Sequence, residues 1–518
     1  MAWLHTWTGL VMGWVLFFVF VTGTAGYFYM EIDRWMRPEL PLRTPIVAPA
    51  IALATAQAHL EQQATDATNW SIDFPGARKG SNLIVSWAGD DGGRRTDHIE
   101  ALDPVTGTVI GDRPRDTGGG FLLYRMHYQL HYFSYNTAVL IVGCCSMLML
   151  VAIVSGVITH KKIFRNFFTF RPAKGQRSWL DGHNAVSVVA LPFFIMITYT
   201  GLLFFVLQYM PGVVASVYGR GQIDHFLGEL YPETRQRIVR SGVAASLAPL
   251  AGMLEVAEKQ WGADSVGAIS VLFPGDANAR VSVYRRDGGR ITRWEELTFD
   301  GVSGALSGNS RNMSAAQSTQ DVLYAVHEGV FADTALRWLY FLSGLLGAVM
   351  IGSGLVLWTV KRRPQHAKAG SVPFGHTLVE RLNVGTIAGL PIAIAAYFWA
   401  NRLLPVGLAE RSEWEAHVLF MVWGLALLHP VLRPLRRAWL EQLWLGAAAF
   451  ALLPLLNVFT SQRHLGVTLP AGDWALAGCD LVMLALGLLL GFIARKVRRW
   501  RSTEVLERGA ELESREVA

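Results

Sequence analysis

The sequence predicts a membrane α-helical bundle of about eight spans, with two small α+β domains outside the bilayer. The first observation is composition: 52% of the 518 residues are hydrophobic and only 17% are charged, which is too apolar for an ordinary soluble enzyme. The second is a series of apolar runs long enough to cross a bilayer. The third is an internal repeat, in which a membrane helix, an outer domain and a second membrane helix occur twice.

Eight apolar runs are candidates for membrane helices. The fifth and sixth runs are short, and Pro391 lies inside the fifth. An even number of spans puts both termini on the same side of the membrane. The runs cover residues 9–29, 137–159, 185–210, 338–360, 384–400, 416–432, 439–459 and 473–493.

Basic residues predict the orientation, because cytoplasmic loops are enriched in Lys and Arg. Every predicted loop on one side is basic, whereas the long segments 30–126 and 211–326 carry mixed charge. We therefore expect a bacterial inner-membrane protein with both termini in the cytoplasm and the long segments in the periplasm. The net charge of +6 then reflects topology and the lipid bilayer, and predicts no nucleic acid partner. The basic residues are Lys161, Lys162, Arg165, Arg171, Lys174, Arg177, Lys361, Arg362, Arg363, Lys368, Arg433, Arg436, Arg437, Arg495, Lys496, Arg498, Arg499 and Arg501.

The internal repeat is carried by two pairs of matching motifs. Asp103-Pro-Val-Thr-Gly107 precedes Leu123-Tyr124-Arg-Met-His127, and Asp300-Gly-Val-Ser-Gly304 precedes Leu323-Tyr324-Ala-Val-His327. The helix before the first copy opens with Trp3-Leu4-His5, and the helix before the second with Trp179-Leu180-Asp-Gly-His183. Each copy therefore has a histidine shortly before the apolar run of each of its two helices.

Each outer segment combines one helix with a short antiparallel meander that ends in the Asp-to-Gly turn. We interpret the turn residues as backbone requirements, since Asp and Gly are favoured at those positions of a turn. The first copy has a helix over 50–63 and strands near 70–74, 82–87, 98–102 and 108–110. The second has a helix over 246–260 and strands near 266–273, 280–285, 295–299 and 305–306.

This order of elements resembles the PepSY domain, and the flanking membrane helices resemble the PepSY-associated transmembrane family, over about residues 1–363. The resemblance implies two PepSY-like periplasmic domains on a four-helix haem-binding core, because family members include inner-membrane reductases that strip iron from ferric siderophores. The four spans over 384–493 are an addition whose role the resemblance does not imply. Besides the two turns, the motifs are Leu4-His5-Thr6-Trp7-Thr8-Gly9, Met126-His127-Tyr-Gln-Leu130, Leu180-Asp-Gly-His183 and Val326-His327-Glu328-Gly329.

Four histidines occupy matching positions in the repeat and predict two haem sites. His5 and His183 lie at the cytoplasmic ends of their helices, while His127 lies 11 residues before Ala138 and His327 lies 11 residues before Trp338. A planar haem held by one His from each of two helices needs such equal heights. We therefore predict two haem b groups, one bound by His5 and His183 and the other by His127 and His327.

Other histidines are weaker candidates. His131 lies one helical turn from His127 and could be the ligand, a second haem's ligand or a propionate partner. His160 ends the second span and competes with His5 and His183. His417 and His429 flank the sixth span without an evident partner. We interpret the rest as surface residues: His59, His98, His225, His366, His376 and His464.

Other cofactors are disfavoured by the motifs. The three cysteines form no CxxC and lie outside the outer domains, and the spans lack the Glu-x-x-His spacing of di-iron sites. Gly118-Gly119-Gly120 precedes a membrane helix and not a βαβ unit, so it does not predict a dinucleotide site. Electrons must then come from a separate donor.

The sequence thus predicts an oxidoreductase that passes electrons across the membrane to a ferric siderophore or other ferric chelate in the periplasm. The donor would be a quinol or a flavoprotein. The alternatives are a non-enzymatic PepSY sensor or transport partner, and a quinone-linked haem electron carrier. The first four spans are predicted at 1–30, 125–160, 183–210 and 326–361, and the four-span extension at 383–495. The two outer domains are predicted at 31–124 and 211–325. A basic loop covers 161–182, a second loop covers 362–382 and the tail covers 496–518.

Overall fold

The computed structural model describes residues 1–76, 82–91, 94–160, 164, 169–171, 174–230, 238–286, 291–293, 295–310 and 313–516. The chain forms two compact units. The membrane unit contains Met1–Met36, Asp116–Thr198 and Phe341–Ala518, and the outer unit contains Arg37–Arg115 and Tyr199–Tyr340.

Helices account for most of the described chain. They are α1 Ala2–Gly26, α2 Tyr29–Trp35, α3 Pro49–Gln63, α4 Gly119–Met126, α5 Tyr135–Thr159, α6 Gln176–Val189, α7 Leu191–Leu203, α8 Val206–Tyr209, α9 Pro211–Tyr218, α10 Ile223–Leu230, α11 Leu250–Trp261, α12 Ala315–Glu328, α13 Thr334–Ala369, α14 Phe374–Ile387, α15 Gly389–Leu403, α16 Arg411–Leu432, α17 Leu435–Ala451, α18 Leu453–Thr460, α19 Leu465–Thr468 and α20 Trp474–Glu516.

Seven helical segments of the described chain are long and apolar enough to cross a membrane, which confirms seven of the eight predicted spans. The fifth is longer than its apolar run, because α14 and α15 together cover Phe374–Leu403. The others are Ala2–Gly26, Tyr135–Thr159, Thr334–His366, Arg411–Leu432, Leu435–Thr460 and Trp474–Arg499.

The third predicted span, 185–210, is not one continuous helix. α6 and α7 meet at Ala190 with a bend of 66°, so they form an eighth span only if the bent pair counts as one. Pro192 explains the break, because proline cannot donate the backbone hydrogen bond of a continuing helix and its ring clashes with the preceding turn. The predicted span also ended too late, since α7 stops at Leu203.

Hydrogen bonds between side chains connect the last four spans to α2 and to the segment just before α4. Arg411 and Glu415 form an ion pair on α16 and are both fully buried. Glu415 accepts a hydrogen bond from Thr117 Oγ1 at 2.6 Å, and Trp35 Nε1 donates to Asp480 Oδ1 at 3.0 Å. Because buried charges are costly unless they are paired, this network fixes the extension against the N-terminal helices.

The outer unit is built on one antiparallel sheet of seven strands, in the order β3-β2-β1-β4-β5-β6-β7. The two meanders were predicted as separate small domains, but they join through their first strands, where Ser71 pairs with Ser270. The strands are β1 Asn69–Asp73, β2 Leu83–Asp91, β3 Arg94–Leu102, β4 Val266–Leu272, β5 Arg280–Arg285, β6 Glu296–Asp300 and β7 Leu306–Asn309. The predicted strand at 108–110 is reduced to a single bridge between Val109 and Leu102.

A hydrophobic core lies between the sheet and the helices α3 and α11. Leu53 and Leu60 from α3, Leu254 from α11 and Ile72 and Ile269 from the two central strands all belong to it. Their alternation along each strand explains why one face of the sheet is covered and the other carries polar residues.

The two Asp-to-Gly turns have the same backbone role in both copies. Asp103 Oδ1 accepts hydrogen bonds from the amides of Val105 and Thr106, both at 2.9 Å. Gly107 and Gly304 each have φ of +72°, the left-handed conformation that favours glycine. The Asp side chains therefore stabilise the backbone of the two turns.

Candidate cofactor site

His5 on α1 and His183 on α6 lie together in the membrane unit. Their ring centroids are 6.4 Å apart, and the ring planes make an angle of 65°. We call this end of the membrane unit the inner end. A metal bound between two imidazole nitrogens at about 2 Å from each separates the ring centroids by roughly 6 Å, so this pair fits an iron held between two axial histidines.

The Nδ1 atoms of both rings have backbone partners. His5 Nδ1 is 2.8 Å from the carbonyl of Ala152, and His183 Nδ1 is 3.0 Å from the carbonyl of Met350. Ser353 Oγ is a further partner of His183 at 3.2 Å. A carbonyl can only accept, so each Nδ1 carries the proton and each Nε2 keeps its lone pair. A second-shell carbonyl that fixes this tautomer is the usual support of a metal-ligating histidine.

A glycine on a neighbouring helix faces each ring. A Cβ on Gly156 of α5 would be 3.1 Å from His5 Cε1, and a Cβ on Gly354 of α13 would be 3.2 Å from His183 Cε1. Such contacts are tighter than nine in ten real Cβ contacts, so a neighbour would have to shift by a few tenths of an ångström. The absence of a side chain at these two positions therefore lets the helices approach the imidazoles.

The outer candidates have the same local features, each in its own unit. His127 Nδ1 contacts the Tyr124 carbonyl in the membrane unit, and Gly23 lies against its ring. Burial lowers the pKa of His127 to about 4, although the carbonyl opposes this, so the ring is neutral and suited to ligation. In the outer unit, His327 Nδ1 is 3.0 Å from Thr200 Oγ1. A haem shared by His127 and His327 stays a prediction.

The glycine contacts follow the repeat. Gly201 is so close to His327 that an added Cβ would be 2.8 Å from its Cε1. Gly201 follows His183 by 18 residues, and Gly23 follows His5 by 18 residues. Each copy therefore places a histidine near one end of its first helix and, at the same interval along the chain, a glycine that faces another candidate histidine.

A family model for the PepSY-associated TM region matches residues 2–361. The chain belongs to the PepSY-associated transmembrane family. It is also similar to an uncharacterised protein of Pseudomonas aeruginosa, with 25% identity over 397 residues that cover 71% of this chain and 92% of that protein. All four histidines of the predicted pairs lie within the segment that matches the family.

His160 is a third histidine at the inner end of this PepSY-associated protein. It directly follows α5, and burial, followed by the nearby His5, lowers its pKa. It also affects His183 electrostatically. His160 therefore remains a competing ligand or a neighbour of the His5–His183 pair.

His131 has a partner that the sequence did not indicate. Its ring centroid is 6.5 Å from that of His417, and its Nε2 forms an ion pair with Glu413 at 3.1 Å. Tyr132 donates to or accepts from His417 Nδ1 at 2.7 Å. The view of His417 as a histidine without a partner was wrong, because pairing between the segment before α5 and the start of α16 is not visible in sequence spacing.

Among the six histidines interpreted as surface residues, His376 is buried. Only 4% of its side chain is exposed, and its Nε2 is 3.4 Å from Glu380. His429, which is not one of these six, has protein partners for both ring nitrogens: Glu441 contacts Nε2 and Gln442 contacts Nδ1. Within the described ranges, no cluster of three or more His, Cys, Asp or Glu side chains could hold a metal ion directly.

Proposed function

We propose that this PepSY-associated transmembrane protein is a haem-dependent oxidoreductase that reduces a ferric siderophore or another ferric chelate in the periplasm. The observation that carries the proposal is the His5–His183 pair, with ring centroids 6.4 Å apart and both Nδ1 atoms hydrogen-bonded to backbone carbonyls. Polar groups at the ends of apolar helices are costly and usually functional, so the pair favours a functional role in the membrane.

The chain's own residues would hold two b-type haems. His5 and His183 would be the axial ligands at the inner end, and His127 and His327 would bind the second haem. Haem between two imidazoles supplies one-electron chemistry by changing between Fe(III) and Fe(II). The Ala152 and Met350 carbonyls orient the inner ligands, and Gly156 and Gly354 give them room.

The proposed direction of electron flow is outward. The basic loops favour a cytoplasmic inner end, where a reductant can reach it, and periplasmic outer segments in the bacterial inner membrane. The substrate iron, once reduced to Fe(II), is held less tightly by hard oxygen ligands and leaves the chelate. Arg125 and Tyr128, near His127 in the chain, are candidate contacts for an anionic or aryl chelate.

The proposal is tested with purified protein in detergent. We expect a bis-histidine Soret band and α-band, and reoxidation of the dithionite-reduced protein by ferric siderophore with Fe(II) captured by ferrozine. His327→Ala should slow reoxidation sharply while dithionite still reduces the inner site. A colourless protein would leave a sensor or transport partner as the function. Reduced protein that ignores excess ferric siderophore but is oxidised promptly by a quinone would leave a quinone-linked carrier.

A further inference from the structure

A cluster of aromatic and polar side chains lies beside the inner histidine pair. Trp358 on α13 stacks on His376 of α14, with ring centroids 5.9 Å apart and planes 25° from parallel. Trp7 on α1 meets Trp358 edge to face at 6.2 Å, and the Arg362 guanidinium lies 3.9 Å above the Trp358 ring. His376 belongs to the four-span extension, outside the segment that matches the family.

Two buried polar atoms in this cluster have no hydrogen-bond partner among the residues that the structure describes. They are Trp358 Nε1 and His376 Nδ1. Buried polar groups are almost always satisfied, so two orphans in stacked rings need an explanation. Each orphan costs free energy in the absence of a ligand or an ordered water.

The chemistry of the two atoms defines the group that would satisfy both. The Trp358 indole can only donate. The His376 Nε2 faces Glu380 at 3.4 Å, and a carboxylate there favours the proton on Nε2, which leaves Nδ1 as an acceptor. A hydroxyl group fits both, since its oxygen accepts from the indole and its hydrogen donates to the imidazole. An ionised carboxylate, such as a haem propionate, has no hydrogen to give to Nδ1.

The cluster is adjacent to the proposed redox centre and open to the hydrocarbon. Trp7 follows His5 by two residues, and Trp358 follows Gly354, which faces His183, by one helical turn of roughly 6 Å. Trp7, which meets Trp358 edge to face, is 40% exposed, so an apolar molecule in the bilayer can reach this edge of the cluster.

We propose that Trp358, His376 and Glu380 form a binding site for a membrane quinol, which is the electron donor. The inference rests on the proposed function, because it needs an electron acceptor at His5 and His183. An aromatic diol with an apolar tail matches the stacking surfaces, the hydroxyl-specific pair of polar atoms and the lipid-facing side.

The step balances as a two-electron oxidation. Both O–H bonds of the quinol break, and the product is the quinone with two electrons and two protons released. One proton passes to His376 Nδ1 while the Nε2 proton moves to Glu380, and the other leaves to water. The acceptor of the two electrons, one at a time, would be the haem iron that His5 and His183 would hold under the proposed function. Among the described residues, His366 and Arg363 also lie near the His376–Glu380 pair, and Arg362 lies over Trp358.

The test uses full-length protein with a photoreactive azidoquinone and with decylubiquinol. We expect cross-linking to peptides around Trp358 and His376, with at least tenfold less labelling in Trp358→Phe and His376→Gln. His376→Gln should slow haem reduction by decylubiquinol about 100-fold or more, as loss of a general base does, and Trp358→Phe should slow it through weaker binding. Glu380→Gln should keep labelling and lower the maximal rate. Reduction by dithionite and reoxidation by ferric siderophore should not change.

The matched control is His429→Gln. His429 is also paired with a glutamate, Glu441, but both of its ring nitrogens already have protein partners. Labelling and rates should equal those of the unmodified protein. If labelling maps elsewhere, or if Trp358→Phe and His376→Gln label normally, the two orphan atoms bind a buried water only and the proposal is overturned. Labelling does not need haem, so a colourless protein that still labels would reject the proposed function and not this site.

Discussion

His183 packs against Gly354, and a Cβ on that glycine would come within 3.2 Å of the ring's Cε1. The contact ties the position of α13 to the imidazole on α6. It predicts that side-chain volume at residue 354 controls what the inner histidines can bind.

Gly354→Val should reduce the haem-to-protein ratio from two to about one and destabilise the fold by about 1–3 kcal/mol, as overpacking does. Pyridine haemochrome analysis and thermal melting measure the two effects. Gly424→Val is the matched control, since nothing lies within 4 Å of a Cβ at that span position. Full haem content in Gly354→Val would contradict the site.

His5→Ala and His183→Ala should each remove the same haem and leave the outer one, because both axial ligands are needed for a stable low-spin site. The double variant should lose no more haem than either single variant. His327→Ala should remove the other haem. Loss of both haems from one folded single variant, or no loss from any, would show that the histidines are paired differently.

Labelling with an impermeant maleimide tests the topology, in a background where Cys144, Cys145 and Cys479 are replaced by alanine. Ser310→Cys, in the outer unit, should react in intact spheroplasts, and Ser178→Cys, beside the basic loop, should not. Ser81 offers a second outer position, although it lies outside the described residues. Labelling of residue 178 alone would show that the orientation is opposite to the predicted one, and the proposed direction of electron flow would then be reversed.

A disulfide tests the pairing of the two repeats in one sheet. Ser71 and Ser270 are directly opposite on β1 and β4, and opposed residues of antiparallel strands lie about 4.5–5.5 Å apart, within disulfide range. The Ser71→Cys, Ser270→Cys variant should therefore oxidise in the periplasm and resist maleimide-PEG until reduced. Ser282 is one strand further away, so the Ser71→Cys, Ser282→Cys control should stay reduced. Equal oxidation of both pairs would refute the register.

Asp276 predicts a pH-dependent contribution to the stability of the outer unit. Burial would raise its pKa, but hydrogen bonds from Asn278, Ser241 and Gly242 outweigh this and lower the pKa to about 2. A folded pKa below the unfolded value stabilises the protein above about pH 4, and this contribution is lost as the pH falls toward 2.

Asp276→Asn should therefore lower Tm by several degrees at pH 7, and the difference from the unmodified protein should shrink at pH 3. Thermal melting of the full-length protein at both pH values provides the measurement. A Tm difference that is constant with pH would mean that the carboxylate's charge is not involved.

Local signals in the sequence were sufficient for most helices, and the repeat was sufficient to predict that His5 and His183 lie near each other, whereas their role as haem ligands stays a prediction. The bend at Ala190 could have been predicted from Pro192, although the apolar run continues through it. The partnership of His131 with His417 could not, since it depends on how distant helices pack.

His376 was missed because its surroundings are polar. The fifth apolar run starts at 384, whereas the helix starts at Phe374 and includes a polar first half. A usable signal was present: His376, Glu380 and Asn383 recur at intervals of four and three residues, which places them on one helical face. In the structure Asn383 accepts a hydrogen bond from Trp14 at 3.0 Å, which fixes α14 against α1.

The pairing of β1 with β4 has a consequence for the ancestry of the chain. A protein with a single copy of the repeat would expose the edge of its first strand, and an exposed edge invites another strand. Two such chains would cover each other's edges about a two-fold axis, which is the commonest symmetry of dimers. This chain carries that interface within itself, so neither copy needs a second chain to cover its first strand, and only the second copy is followed by the four-span extension that holds His376.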